Sequence, residues 1–316
     1  MSFTTYSMKG RHLGSIRDLD PEEFMRVLHT ARDLKNRSLT GERPPILQGR
    51  TLAMVFEKPS LRTVVSFEVA MNHLGGHALY LGPDQISLGK RETVEDIAEV
   101  LSGFVDGIMA RVFAHAHIQE LIKYSKVPVI NGLCDYEHPC QILGDFLTIW
   151  ERKGCLKGRK LVYVGDGNNV ANSLAFACAR LGMHMVCAGP EGYELKPRVL
   201  ETCAQDALDF CSGGSVIQLH DPAAAIKDAD IVYTDVWASM GQEAEAAHRK
   251  KIFAPYTVSR ALIDKAKPDV MVLHCLPAHY GDEIEAGLQR DPRSAIYPQA
   301  ENRLNAQKAV LAMLLR

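Results

Sequence analysis

The chain has 316 residues, of which 47% are hydrophobic and 23% are charged, which is typical of a globular protein of about two domains and excludes a disordered chain. The formal net charge is −2, so the chain lacks the basic excess of a nucleic-acid-binding protein. Its apolar runs are far shorter than the ~20 residues that cross a bilayer, and its first 13 residues lack the apolar core of a secretory signal.

The eight cysteines contain no C-x-x-C pair, and several of them fall within apolar helix or strand patterns. This usage is typical of reduced, buried thiols rather than of a disulfide framework. We therefore expect a cytoplasmic protein that contacts neither nucleic acid nor membrane.

The first half of the chain alternates between short apolar runs and helical patterns. An aspartate, a proline and two glutamates at 20–23 predict the start of a first helix. The predicted elements are helices at 21–35, 62–74, 93–103 and 118–124, strands at 51–56, 78–81, 107–112 and 127–130, and a polar loop at 82–91.

A second alternation follows a polar linker at 153–158. Strands are predicted at 160–164, 184–188, 215–218, 231–234 and 270–273, and helices at 141–150, 168–181, 196–210, 222–227, 243–250, 259–265 and 301–315. Two successive alternations predict an α/β protein with two parallel-sheet domains, each an αβα sandwich.

One candidate anion site follows the first strand, where the chain reads Ser60-Leu61-Arg62-Thr63 at the start of a helix. Free backbone N–H groups, a guanidinium and hydroxyls at a helix N-terminus suit a phosphate, although a plain capped helix start is the alternative. Arg111 ends a later apolar strand, and ligands bind outside the carboxyl ends of strands in open α/β sheets. Arg111 can therefore face the same ligand as Arg62, although a surface salt bridge is the better interpretation of Arg111 taken alone.

A candidate electrophile follows in His138-Pro139-Cys140-Gln141, where Pro139 fits the first position of a helix. The positive end of a helix dipole disfavours an imidazolium, so His138 is expected to be a neutral hydrogen-bond donor that can polarise a carbonyl oxygen. By itself, a histidine before a proline at a helix start is more often a cap.

Asp235 and Cys275 each follow an apolar strand of the second alternation, so they are expected at neighbouring strand ends and facing one pocket. A zinc site is a rival interpretation for His274 and Cys275, but no partner with zinc-ligand spacing occurs in the sequence. A turn at Gly165 is similar to a dinucleotide fingerprint. Its third glycine position holds Val170 and no suitable acidic residue follows, so a nicotinamide cofactor is weakly supported.

Taken together and in order, these motifs resemble those of the aspartate/ornithine carbamoyltransferase family, specifically its ornithine branch. The motifs that carry the resemblance are Ser60-Leu-Arg-Thr63, Arg111, His138-Pro-Cys-Gln141, Gly165-Asp-Gly-Asn-Asn169, Asp235, Ser239-Met-Gly241, His274-Cys-Leu-Pro277 and Glu301-Asn-Arg303. The resemblance covers the whole chain. It implies a transfer of the carbamoyl group from carbamoyl phosphate to the δ-amine of ornithine, without a metal or cofactor.

The resemblance also implies roles for individual residues. It assigns carbamoyl phosphate binding to Ser60, Leu61, Arg62, Thr63, Ser87, Arg111, His138, Gln141 and Arg303. It assigns ornithine binding to Asn169, Asp235, Ser239, Met240, Cys275 and Leu276, and catalysis to Arg62, His138, Asp235 and Cys275. The implied domains are 1–138 with the C-terminal helix 299–316 packed back on it, for carbamoyl phosphate, and 139–298, for ornithine.

Three positions depart from common family patterns. Val64 stands where a second arginine often follows, and Tyr280 stands where an arginine often follows the His274 segment. Ser87 stands at the position of the loop 82–91 that usually reaches a neighbouring subunit's site, and the family implies a homotrimer. The alternatives that remain open are a carbamoyltransferase for putrescine or another amine, a nicotinamide-dependent oxidoreductase and a non-enzymatic regulatory paralogue.

Overall fold

The computed structural model describes residues 8–86, 88–89, 91–238 and 243–316. Its strands are β1 (Thr51–Phe56), β2 (His77–Leu81), β3 (Gly107–Arg111), β4 (Val129–Leu133), β5 (Lys160–Val164), β6 (His184–Ala188), β7 (Ser215–Leu219), β8 (Ile231–Thr234) and β9 (Met271–His274). Each strand begins within two residues of its predicted first residue, and β4 ends three residues after its predicted last residue.

The helices are α1 (Pro21–Leu39), α2 (Leu61–His73), α3 (Pro83–Ile86), α4 (Val94–Ser102), α5 (His115–Tyr124), α6 (Pro139–Lys153), α7 (Asn169–Leu181), α8 (Pro197–Asp209), α9 (Pro222–Ala225), α10 (Ala246–Phe253), α11 (Arg260–Ile263) and α12 (Ile296–Leu315). Short 3-10 helices cover Ile16–Asp18, Glu243–Glu245, Ala254–Tyr256 and Leu288–Arg290. The prediction of an unbroken polar loop at 82–91 is wrong, because Pro83 begins the four-residue helix α3 there.

The chain divides into two compact units, one formed by 1–144 with 303–316 and the other by 145–302. In the first unit the strand order is β2-β1-β3-β4, and in the second it is β7-β6-β5-β8-β9. All these strand pairs are parallel, which confirms the predicted α/β class with two parallel sheets. The division falls inside α6 and α12 rather than at their ends.

The second part of α12 belongs to the first unit, as predicted for the C-terminal helix. Gly144 of α6 lies directly against Arg303 of α12, since a Cβ added at Gly144 would lie 3.1 Å from the Arg303 Cα. Lys308 is 2% exposed and donates a 2.9 Å hydrogen bond to the Ser38 hydroxyl at the end of α1. These contacts show that Arg303 and the rest of α12 after it pack within the first unit.

Each sheet reverses its strand order once, and ligands of open α/β sheets bind at such a switch point, outside the carboxyl ends of the strands. In the first unit the switch lies between β1 and β3, and in the second it lies between β5 and β8. None of the helices in the described part of the chain is long and apolar enough to span a bilayer.

Candidate functional site

The switch point of the first unit brings the start of α2 beside the end of β3. Phe56 at the end of β1 is in register with Arg111, and the next backbone N–H, of Glu57, donates to the Arg111 carbonyl at 3.0 Å. Ser60 occupies the N-cap of α2 as predicted, but its side chain makes no capping hydrogen bond to the backbone. Its hydroxyl donates instead to the Thr63 hydroxyl at 3.1 Å. The cap therefore does not consume the N–H groups of the first turn, which are the donors that an anion needs.

Two arginine side chains of this unit meet at the Thr63 hydroxyl. Thr63 is fully buried, and its hydroxyl accepts hydrogen bonds from Arg111 at 3.3 Å and from Arg303 at 3.1 Å. Two guanidinium groups held this close repel each other unless an anion lies between them, and guanidinium forks match phosphate oxygens. The arrangement suits an anion with more than one negative charge.

His138 lies immediately before α6, as predicted from Pro139, and is 5% exposed. Burial lowers the pKa of His138 well below its usual value, and the charges of Arg303, Arg111 and Arg62 lower it further. The sequence predicts a neutral imidazole from the helix dipole, whereas the structure attributes the same outcome to burial and three arginines. A neutral imidazole beside three guanidinium groups can donate a hydrogen bond to a carbonyl oxygen of an anionic ligand.

Two further residues complete the surroundings of His138. Gln141 is 1% exposed, and its backbone N–H donates to the His138 carbonyl at 3.0 Å. Glu137, which the sequence analysis did not single out, is 1% exposed and accepts a 3.0 Å hydrogen bond from the backbone N–H of Ile16. Glu137 therefore ties the segment that carries His138 to the N-terminal part of the chain.

The switch point of the second unit is occupied by Asn168 and Asp235. The Asn168 side chain caps α7 by accepting from the N–H groups of Val170 and Ala171, both at 3.0 Å. Its Nδ2 donates to Asp235 Oδ2 at 2.9 Å. Its neighbour Asn169, which is predicted to bind ornithine, has a side chain that accepts from the Val170 N–H. The contact with Asp235 thus belongs to Asn168, and the predicted role of Asn169 in binding ornithine stays a prediction.

Cys275 follows β9 and is held by the other oxygen of the same carboxylate. Its thiol donates to Asp235 Oδ1 at 2.9 Å, which confirms the predicted proximity of these two residues. Burial raises the pKa of Cys275 well above its usual value, and the charge of Asp235 raises it further. The thiol is therefore protonated at neutral pH and acts as a hydrogen-bond donor rather than as a nucleophile.

Leu276 extends this arrangement into the next residue. Leu276 adopts a left-handed backbone conformation with φ of 60°, and its N–H donates to His274 Nδ1 at 2.9 Å. Such a conformation is uncommon for a branched residue and is typical of functional sites. This hydrogen bond joins the residues on either side of Cys275 and so fixes the backbone from which its thiol projects.

The zinc interpretation meets a specific obstacle in this geometry. Asp235, His274 and Cys275 have potential ligand atoms within 4.8 Å of one another. However, His274 Nδ1 accepts from the Leu276 N–H, and its Nε2 lies 3.1 Å from the buried Glu283. Both ring nitrogens of His274 are therefore engaged within the protein, which leaves neither of them free as a zinc ligand.

The glycine turn after β5 also disfavours the nicotinamide interpretation. A Cβ added at Gly167 would lie 2.4 Å from the backbone carbon of Glu194, so Gly167 is required by the chain's own backbone. In a dinucleotide fingerprint the corresponding space admits the pyrophosphate. The space beside this turn is filled by the chain itself.

Three of the predicted site residues lie outside the residues that the structure describes. They are Ser87, Ser239 and Met240. Leu61 begins α2 with a side chain that is 78% exposed, so only its backbone can take part in a buried anion site. The assigned roles of all the site residues stay predictions.

Two family models match the chain, and together they cover most of it. The model described as "aspartate/ornithine carbamoyltransferase, carbamoyl-P binding domain" matches residues 11–151. The model described as "aspartate/ornithine carbamoyltransferase, Asp/Orn binding domain" matches residues 157–314.

Individual relatives match over nearly their whole length. The chain is 56% identical to an ornithine carbamoyltransferase of Pyrococcus abyssi, over 98% of this chain and 97% of that one. It is 55% identical to a protein of Pyrococcus furiosus named "ornithine carbamoyltransferase, anabolic", over 98% of both chains.

Solved structures agree with these matches. The ornithine carbamoyltransferase structure from Pyrococcus furiosus aligns with a TM-score of 0.94 at 55% identity, covering 98% of both chains. That from Thermus thermophilus aligns with a TM-score of 0.87 at 41% identity, covering 96% of this chain and 99% of that one.

Proposed function

The chain belongs to the aspartate/ornithine carbamoyltransferase family, and we propose that it transfers the carbamoyl group of carbamoyl phosphate to the δ-amine of L-ornithine, giving L-citrulline and phosphate. The observation that carries this proposal is the Asp235 carboxylate, held between the Asn168 amide and the Cys275 thiol. A carboxylate with both oxygens fixed by neutral donors suits an amine substrate.

The first unit supplies the groups that carbamoyl phosphate requires. The first turn of α2 with Arg62, together with Arg111, binds the phosphate, because guanidinium groups and helix-end amides are its preferred partners. Arg303, which bonds to the same Thr63 hydroxyl as Arg111, holds the carbamoyl group. Neutral His138 donates to the carbamoyl oxygen. These donors stabilise the negative charge that develops on that oxygen when the amine attacks.

The second unit supplies the groups that the amino acid requires. The amine attacks as the neutral form, and Asp235 orients it through hydrogen bonds. The nitrogen lone pair forms the new bond to the carbamoyl carbon, and the bond from that carbon to the phosphate oxygen then breaks. The phosphate leaves with the electron pair, and the proton lost by the amine passes to phosphate or solvent. Catalysis comes mainly from positioning and from electrostatics, with no covalent enzyme intermediate.

The direction of the reaction in the cell is proposed to be toward citrulline. The Pyrococcus furiosus relative that is 55% identical carries the name of the anabolic enzyme. We place the reaction in the cytoplasm, since all eight cysteines are free thiols.

We further propose that the chain forms a homotrimer. Leu61 and Val65, which are one turn apart on α2, are 78% and 49% exposed. Leu79 and Tyr80 of the edge strand β2 are 41% and 42% exposed. Exposed apolar side chains on a helix and on an edge strand are often covered by another chain. Light scattering on the purified chain would measure three chains per particle, and a monomer would contradict the proposal.

The activity is tested by measuring citrulline formed from carbamoyl phosphate and L-ornithine. Putrescine and N-acetylornithine in place of ornithine are the matched controls for the amine. We expect turnover with ornithine and at least a hundredfold lower kcat/KM with either control. Comparable turnover with putrescine would assign the chain to a different amine, and no turnover with any amine would support a regulatory paralogue.

A further inference from the structure

Behind Cys275 lies a set of three buried polar residues from three different elements, which we call the rear network. It consists of Asp145 on α6, Tyr233 on β8 and Gln299 on α12, none of which has any exposed surface. The Tyr233 hydroxyl donates to Asp145 Oδ2 at 2.9 Å. The Gln299 amide donates to Asp145 Oδ1 at 2.7 Å and to the Tyr233 oxygen at 3.1 Å.

The rear network is joined to the segment that carries Cys275. The Gln299 side-chain oxygen accepts a 2.9 Å hydrogen bond from the backbone N–H of His274, the residue before Cys275. Tyr233 lies on β8, which pairs with β9 and places Thr234 in register with His274. The network therefore contacts the end of β9 through a backbone hydrogen bond and approaches the thiol from the neighbouring strand.

Charged and titratable groups from several elements surround Cys275. After burial and Asp235, the charge of Asp145 also raises the pKa of the Cys275 thiol. Burial and Asp145 raise the pKa of Tyr233 well above its usual value, so its hydroxyl keeps its proton. On the other side of the turn, His274 faces the buried Glu283.

We propose that the rear network is a positioning network that holds the protonated Cys275 thiol on Asp235 for the transfer reaction. A fully buried carboxylate is costly, and Tyr233 and Gln299 supply neutral donors to Asp145. With Asp145 charged, the hydrogen of Tyr233 points to that carboxylate instead of the sulfur. The sulfur then keeps its own hydrogen, which it donates to Asp235.

The role in the reaction rests on the proposed function, but the state of the thiol does not. Since Asp145 acts through Cys275 and touches no reacting atom in this arrangement, it is a positioning residue. Two variants perturb the network in opposite directions. Asp145→Asn removes the charge that disfavours a thiolate and releases the Tyr233 hydroxyl toward the sulfur. Tyr233→Phe keeps the ring and its stacking on Tyr163 but removes a donor to Asp145, which leaves more of the Asp145 charge acting against a thiolate.

The test measures the rate at which iodoacetamide alkylates Cys275 without substrates, by peptide mass spectrometry between pH 7 and 10. Each unit by which the pKa falls increases the thiolate fraction below that pKa about tenfold. We expect Asp145→Asn to increase the rate at pH 8 at least tenfold and to bring an inflection into this range. We expect Tyr233→Phe to lower the rate at the same pH severalfold.

Thr148→Val is the matched control, because Thr148 is 1% exposed on the same helix and bonds to Asn302 of α12 at 3.0 Å. This variant should leave the pH profile unchanged. A general loosening of the protein would raise the alkylation rate equally at all pH values and would not shift the profile. Exposed Cys155 serves as the internal reference for reagent activity.

Steady-state kinetics then tests the connection with the reaction. Asp145→Asn should lower kcat and raise the KM for ornithine, with the KM for carbamoyl phosphate within twofold of that of the parent. A folded Asp145→Asn variant with the parent's alkylation profile would overturn the proposal, as would a Tyr233→Phe variant that alkylates as fast as the parent. If the parent makes no citrulline, the proposed function fails while the alkylation result still decides the state of the thiol.

Discussion

The guanidinium of Arg303 donates a 3.1 Å hydrogen bond to the hydroxyl of Thr63, which lies 240 positions earlier in the sequence. This contact joins α12 to the first turn of α2 inside the first unit. Arg111 bonds to the same hydroxyl, so one buried oxygen orients two cationic groups. The anion site therefore depends on a side chain that carries no charge.

Thr63→Val should raise the KM for carbamoyl phosphate about ten- to a hundredfold. The substitution removes the acceptor that the two guanidinium groups share and leaves both of them to reorient, and each tenfold loss of affinity corresponds to about 1.4 kcal/mol. Initial-rate kinetics with ornithine saturating measures the change. Thr63→Ser keeps the hydroxyl and should recover most of the affinity, and a valine variant with the parent's KM would contradict the argument.

Arg62→Ala should reduce kcat/KM for carbamoyl phosphate on the order of a hundredfold or more. Arg62 lies in the first turn of α2, and two lost charge-assisted bonds to phosphate correspond to at least about 3 kcal/mol of transition-state stabilisation. Arg26→Ala, which breaks an i,i+4 pair with Glu22 on α1, is the control and should have no kinetic effect. Near-normal turnover and affinity in the Arg62 variant would refute the assigned role.

His138→Gln should change how the stability of the protein depends on pH. The folded-state pKa of His138 is far below its usual value, so between the two pKa values the unfolded chain binds the proton and the folded chain does not. Stability linked to His138 is thus present above about pH 6.5 and is lost as the pH falls below it. Urea unfolding between pH 5 and 8 should show a steeper acid loss for the parent than for the variant. Parallel profiles would show that His138 does not titrate as described.

Cys275→Ser should retain measurable citrulline formation. Because the thiol is protonated and donates to Asp235, a serine hydroxyl can replace it as a donor. The loss should appear in kcat and in the KM for ornithine more than in the KM for carbamoyl phosphate. Cys155→Ser, at an exposed position, is the control. A carbamoyl thioester trapped on the parent and detected by intact mass would establish a covalent mechanism instead.

Arg249→Met should destabilise the protein by about 3–5 kcal/mol, because it leaves a buried carboxylate without its cation. Arg249 Nη1 donates to Asp166 at 2.8 Å and to the Trp237 carbonyl at 3.0 Å, and both charged side chains are at most 10% exposed. Burial already raises the pKa of Asp166, and Arg249 opposes that shift. Urea unfolding measures the loss, and adding Asp166→Asn should restore part of it. Arg260→Met breaks the exposed pair of Arg260 and Glu285 and is the control. A loss of unfolding free energy in Arg249→Met no larger than that in Arg260→Met would contradict this account.

The sequence predicted the strand ends well because side chains there follow short apolar runs that are easily recognised. Arg111 and Cys275 each follow such a run, and the structure places each at the carboxyl end of a parallel strand. The bond between Cys275 and Asp235 follows from the same reasoning, since β8 and β9 are neighbours.

The remaining features could not be predicted, because they depend on contacts between residues distant in sequence. No local pattern shows that Arg303 reaches Thr63, or that Gln299 meets Asp145 across 154 positions. The neutrality of His138 was predicted from the helix dipole, but its main physical cause is burial, which only the packed structure reveals. In the same way, no local pattern shows that the Asn168 side chain reaches Asp235, 67 positions further along the chain.

The discontinuous composition of the first unit has a consequence for how the polypeptide is made. Residues 1–144 emerge from the ribosome long before residues 303–316. The later segment nevertheless supplies buried side chains to the same unit, including those of Val310, Leu311 and Leu314. The first unit to be synthesised is therefore the last to be completed, and it waits for the whole of the second unit to emerge. A nascent chain stalled before Arg303 exposes an unfinished apolar surface on its N-terminal part, and this is the stage of biosynthesis at which the protein most needs protection from aggregation.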